Sequence, residues 1–150
     1  MKYSLICTLT VFISGCTLLT SDTKQATLQQ ESSHQLYHDI GGDEGIERIT
    51  DAFIKQIARD PDILPYFAKS SVSHFKQGFI SHLCATVNGP CEYKGDSMID
   101  IHTGMNIDEK DFNRTVELLI AALEDAGISY RDQNRILKAL APLRGEIIHY

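Results

Sequence analysis

The chain has no alternating apolar–polar run of useful length, so a sheet is not expected. It has no run of basic residues and no aromatic stripe set among them. With 14 Lys and Arg against 20 Asp and Glu, the formal net charge is −6, which argues against nucleic acid as a partner. No nucleophile elbow, phosphate-binding loop or working pair of carboxylates stands out, and there is no internal repeat. Cysteine is scarce: of four, only Cys84 and Cys91 fall in the body of the chain, and they are not the close pairs that a zinc site needs. The apolar run near the start, Leu5 to Ile13, is too short to cross a bilayer as a stop-transfer helix. What is there is 150 residues, 43% hydrophobic and 23% charged, the composition of one globular domain large enough for a real core.

Residues 1–16 differ from the rest. Lys2, the apolar stretch and then Ser14-Gly15-Cys16 have the layout of a signal peptide. Ile13-Ser14-Gly15-Cys16 looks like a bacterial lipobox, in which the cysteine becomes the new N-terminus and carries lipid; an ordinary secretory signal or an uncleaved anchor is the alternative. Several acyl chains on Cys16 would anchor the protein stably to a membrane of the cell envelope, facing the periplasm or the exterior. From 17 to 35 the chain is polar, with too little to bury to repay the entropy of ordering, and reads as a tether. The folded domain is expected over 36–150.

That domain is helical in pattern. Ile46, Ile49, Phe53 and Ile57 share one face after Gly41-Gly42, and Asp60-Pro61 ends that helix. Val72, Phe75, Phe79, Leu83 and Val87 make a second stripe, closed by Asn88-Gly89-Pro90. Asp108, with Asp111 three residues on, opens a third helix with the stripe Phe112, Val116, Leu119 and Leu123, closed by Gly127. Ser129 with Asp132 opens the last, whose Ile136, Leu140, Leu143 and Ile147 face inward, with a kink expected at Pro142. By pattern alone this is an all-α bundle that needs no cofactor.

One stretch gives it chemistry. Tyr-Lys-Gly-Asp-Ser-Met-Ile-Asp-Ile-His-Thr-Gly-Met, residues 93–105, sets His102 one helical turn after Met98 on a short segment bounded by Gly95 and Gly104. A neutral imidazole so placed is what a haem iron needs for its protein-side bond. Phe67, Phe75 and Phe79 are large flat side chains near one another in sequence, and a macrocycle would give them a partner that a leucine core does not need.

Leu36-Tyr37-His38-Asp39-Ile40-Gly41-Gly42, Arg59-Asp60-Pro61 with Tyr66-Phe67, Leu83-Cys84 through Asn88-Gly89-Pro90-Cys91, and the stretch above occur in the order and at the separations of the group 1 truncated (two-over-two) haemoglobins, which this chain closely resembles over about residues 36–148. The resemblance implies a two-over-two helical sandwich around haem b. It implies His102 as the proximal ligand of the iron, Met98 packed under the haem and Phe67 wedging it. Phe75, Phe79 and Ile54 match positions facing the bound gas, Leu83 lies one turn beyond Phe79, and Thr115 falls near the ligand side. Members of the family often present a tyrosine and a glutamine to bound oxygen. Here Ile54 and Phe79 stand at the matching places, so only Thr115 or His82 is left as a polar candidate, and His82 lies off the Phe75–Phe79 face and reads as solvated. Lys76 is either a surface lysine or a partner for a haem propionate. His34, His38, His74 and His149 read as solvated. For Cys84 and Cys91 two states stand open: free thiols or, in an exported protein, a disulfide contributing roughly 2.5 kcal/mol on the loop-entropy model.

The expected function is binding of diatomic gases (oxygen, nitric oxide, carbon monoxide) on the haem face opposite His102. It extends to oxygen transport and to conversion of nitric oxide to nitrate with the help of an unidentified reductase. A redox or gas-sensing haem protein, and a cofactor-free helical lipoprotein serving as an interaction module, are the alternatives.

Overall fold

The computed structural model describes residues 34–148. Cys16, residues 1–16 and all but the last two residues of the expected tether lie outside it, as does His149. Among the described residues there are helices and no strands: α1 (Gln35–Asp39), α2 (Gly42–Ile57), a 3-10 turn (Leu64–Phe67), α3 (Val72–Thr86), α4 (Met98–His102), α5 (Glu109–Asp125), α6 (Tyr130–Leu140) and a closing 3-10 segment (Ala141–Glu146). None of them is long and apolar enough to cross a membrane.

The seam between α2 and α5 is the most extensive contact in the fold, and α3 packs on α2 beside it. Ile46 and Ile49 of α2 and Leu123 of α5 are fully buried there, with Leu118, Leu119 and Ala122 around them. Burying each of the large aliphatic side chains contributes about 1.5–3 kcal/mol. Thr50 sits in the same seam, and its hydroxyl avoids an unpaired burial by donating back to the Ile46 carbonyl at 2.8 Å.

Local chemistry sets the helix ends. Asp108 accepts a hydrogen bond from the Asp111 amide at the start of α5, and Ser129 does the same for the Asp132 amide at the start of α6. Ser71 caps α3 and Ser97 caps α4. Between α1 and α2, Gly41 has φ +98°, a conformation costly for other residues. Gly45 lets α2 approach the end of α1: a Cβ there would lie 1.9 Å from the Ile40 carbonyl oxygen.

Three sequence expectations need correction. Gln35, assigned to the tether, already begins α1, because Asp39 at its far end is held by Arg131 and Arg135 of α6 at 2.9 and 2.6 Å. Val72 heads the second stripe but is 65% exposed at the first position of α3, bordering only the small cavity beside Ile54 and Ile57 of α2. Pro142 does not kink a continuous helix; α6 stops at Leu140 and the chain tightens into the 3-10 segment, where a proline in the first turn costs no hydrogen bond.

Cys84, buried near the end of α3, is joined to Cys91 by a disulfide with its Cα atoms 6.0 Å apart, which settles the two states left open by the sequence. The bond ties the end of α3 to the segment leading to α4.

Candidate haem site

An apolar cavity of about 610 Å³ opens between α3, α4, α5 and the closing 3-10 segment. That volume suits a cofactor-sized ligand, for which clefts of roughly 300–1,000 Å³ are usual. One wall is aromatic. Phe75 and Phe79 of α3 stack with centroids 5.7 Å apart, Phe53 of α2 lies 5.1 Å from Phe79, and Phe67 meets Phe75 edge-on at 4.9 Å. Each of these rings lines the cavity.

Met98 and His102, the first and last residues of α4, line it as well. The His102 Nδ1 lies 2.7 Å from the Met98 carbonyl oxygen. A carbonyl can only accept, so Nδ1 carries the proton and Nε2 is left with a lone pair. This is the second-sphere arrangement that fixes a metal-binding imidazole in the right tautomer. An apolar cleft with flat aromatic rings and one imidazole prepared for coordination fits a haem.

Of the residues expected at the site, His102, Met98, Phe67, Phe75, Phe79 and Thr115 come together around this cavity. Three do not. Leu83 is fully buried in the core, because α3 turns that face toward α2 one turn past Phe79. Lys76 is not part of the lining; its ammonium is 2.5 Å from Asp51 of α2. Ile54 faces a separate satellite cavity of about 100 Å³ between α2 and the start of α3, and its neighbour Phe53 takes the place on the main cavity.

Four lining residues, Phe53, Tyr66, Tyr93 and Asp111, were not assigned to the cavity from the sequence, and a fifth, His82, was weighed as a polar candidate but read as solvated. His82 corrects the solvated assignment. It is half-buried, lies edge-on to Tyr93 with centroids 5.1 Å apart, and has its pKa lowered first by burial and then by the neighbouring His102. Its place one turn before Thr86 and three residues past Phe79 was the available signal.

Most polar hydrogens at the cavity are already committed. The Thr115 hydroxyl donates to the Asp111 carbonyl at 2.9 Å, so it offers lone pairs and no proton to a bound gas. The Tyr93 hydroxyl donates to the Asp96 carbonyl at 2.9 Å. The Tyr66 hydroxyl donates to Asp111 Oδ2 at 2.6 Å; that bond first, then burial, pushes its pKa up to about 12. The His82 ring makes no hydrogen bond among the described residues and is the half-buried donor left over.

A helical sandwich closed around an aromatic cleft with one prepared imidazole defines a globin-type protein. The family model described as "Bacterial-like globin" matches residues 35–149, and the chain belongs to that family. Among curated relatives, the group 1 truncated hemoglobin GlbN of a Nostoc species is 29% identical over 114 residues, 76% of this chain and 97% of the relative. The GlbN of Mycolicibacterium paratuberculosis is 28% identical over 122 residues, 81% of this chain and 90% of its own. In solved structures the fold recurs in the truncated hemoglobin of Tetrahymena pyriformis in its Fe(III) form, with a TM-score of 0.74, 24% identity, and 77% of this chain and 98% of that one aligned.

Proposed function

We propose that this globin holds haem b in the cavity, with His102 Nε2 as the protein ligand of the iron, and binds diatomic gases on the other face. The observation that carries the proposal is the His102 tautomer, fixed by the Met98 carbonyl on the edge of an apolar cleft. Haem, when bound, supplies the iron coordination and redox chemistry. The protein's part is to orient His102, to pack Met98, Phe67, Phe75 and Phe79 against the macrocycle, and to keep water out of the gas-binding space.

The aromatic wall carries no donor, and Thr115 has none to spare. Apart from His82, the lining would thus offer a bound gas little hydrogen bonding, and carbon monoxide, which depends less on a donor, would be favoured relative to oxygen. Conversion of nitric oxide to nitrate by the oxygenated form, with an external reductase to restore the iron, is the enzymatic use this pocket would support. Absorption spectra of the purified protein, oxidised, reduced and carbonyl-bound, test the assignment. A histidine-ligated haem spectrum is expected. A haem-free protein would point instead to a helical interaction module. Nitrate yield from the oxygenated form mixed with nitric oxide tests the enzymatic use.

The Ile-Ser-Gly-Cys junction supports a lipid anchor at Cys16. Expressed in a bacterium, the protein should sediment with membranes and Cys16→Ala should release it. Soluble wild-type protein with an intact leader would overturn that assignment.

A further inference from the structure

The fold brings a third donor to the Cys84–Cys91 pair. A carboxylate oxygen of Asp43, in the first turn of α2, and the two sulfurs all lie within 4.8 Å of one another. The three donors come from three places in the chain, and none of them lines the haem cavity. Two contacts hold them. The hydroxyl of buried Tyr37 donates to Asp43 Oδ1 at 2.9 Å, which orients the carboxylate and leaves Oδ2 to another partner. The backbone at Gly89 lies so near that a Cβ there would stand 2.5 Å from Cys84 Sγ and 2.7 Å from the Tyr37 ring. Cys84 is 1% exposed, so its sulfur has little room to leave this place once the bond to Cys91 is cut. Asp43 is exposed and Cys91 half-exposed, and they open the trio to solvent.

We propose that the reduced protein binds one zinc-class divalent cation through Cys84 Sγ, Cys91 Sγ and Asp43. The same edge of the fold is then stapled by a disulfide when oxidised and by a metal when reduced. A dithiol reductant gives two electrons and two protons to the S–S bond and leaves as its own disulfide. The cation replaces the two thiol protons, which pass to solvent. Two thiolates and one carboxylate suit zinc, whereas calcium and magnesium take oxygen ligands. Around a tetrahedral zinc, with bonds of about 2.3 Å to sulfur and about 2.0–2.2 Å to oxygen, donors stand roughly 3.5–3.8 Å apart. The sulfurs must part to reach that spacing, and the carboxylate need close in by only about 1 Å. Water takes the fourth position on the exposed Asp43 side, and Tyr37 orients the ligating carboxylate as outer hydrogen bonds do in metal sites.

The full chain carrying Cys7→Ser and Cys16→Ala, which leaves no other thiol, is loaded with haem and reduced with a phosphine. The phosphine is removed without air, and the protein is dialysed to equilibrium against zinc. One zinc per chain is expected in the reduced protein beyond the level bound by the oxidised protein and by Cys84→Ser with Cys91→Ser. Zinc-edge X-ray absorption, which is blind to the haem iron, should count two sulfur neighbours with oxygen filling the rest. Tyr37→Phe should weaken binding by about tenfold, and Asp43→Asn by more. No added zinc in the reduced protein, the same zinc in the oxidised one, or full affinity in Asp43→Asn overturns the proposal. Should reduction alone loosen the fold, zinc has to restore the helical circular dichroism, and failure to do so overturns it as well. The haem assignment stands under each of these outcomes.

Discussion

The α2–α5 seam and the α4 wall are built on opposite terms. The seam is long, filled with aliphatic side chains and buried throughout: Ile46, Ile49 and Leu123 have no appreciable exposure. The α4 wall is a five-residue helix with no buried residue, and its Ile99 and Ile101 are 38% and 44% exposed. The first can stand by itself; the second is too short to be stable on helix propensity alone and owes its position to caps and neighbours. The buried core and the proposed haem ligand are thus separated in space.

The sharpest way to break that comparison is His102→Ala. Haem binding should be abolished while the far-ultraviolet circular dichroism of the haem-free protein stays near wild type; titration with haemin followed by absorption reads both sides of the claim. In the other direction, Ile49→Ala in the seam should lower unfolding stability by about 2–5 kcal/mol, as large-to-small core changes do. Ile101→Ala on α4 should change it by less than about 0.5 kcal/mol, and urea melts of the two haem-free variants compare them directly. Reducing the Cys84–Cys91 bond, or replacing it by Cys84→Ser with Cys91→Ser, should cost roughly 2.5 kcal/mol by the loop-entropy model, visible as a lower urea midpoint.

Within the cavity the effects are smaller. Phe79→Tyr places a hydroxyl on the aromatic wall and should slow oxygen dissociation about tenfold, equivalent to about 1.4 kcal/mol. His82→Leu should speed it by a similar factor, and Ile54→Tyr, directed into the satellite cavity, should leave it unchanged. Stopped-flow traces in which Ile54→Tyr slowed release and Phe79→Tyr did not would reverse the assignment of the wall. The least effect concerns acid. Burial alone would raise the Asp60 pKa, but Arg114 at 2.8 Å and the Ile63 amide at 2.9 Å outweigh it and hold the carboxyl below its ordinary range. A depressed carboxylate stabilises the fold above its unfolded pKa and loses that contribution as pH falls through the folded value. Asp60→Asn should therefore unfold with a shallower dependence on pH on the acid limb, checked by melting temperature against pH.

Helix identities were legible in the sequence because burial imposes a period on each stripe, and the Asp108 and Ser129 caps sit where the side chain predicts. Which face of a helix meets the cavity and which meets another helix was less so. Phe75 and Phe79 read correctly as cavity residues, yet Leu83 on the same stripe turns into the core and Ile54 yields its place to Phe53. The stripe is one face to a periodicity argument, but α3 is long enough for its two ends to meet different partners. His82, weighed as a polar candidate, was read as solvated because a polar residue off the apolar stripe looks exposed unless the neighbouring wall, here Tyr93, is known to cover it.

The Cys84–Cys91 bond has one more consequence, for how the cleft is filled. It fastens the end of α3 to the chain that leads into α4, so the two walls that carry Phe79 and His102 are joined near one edge like the boards of a book at the spine. The bond shortens the covalent path between them, so this edge resists parting more than it would with free thiols.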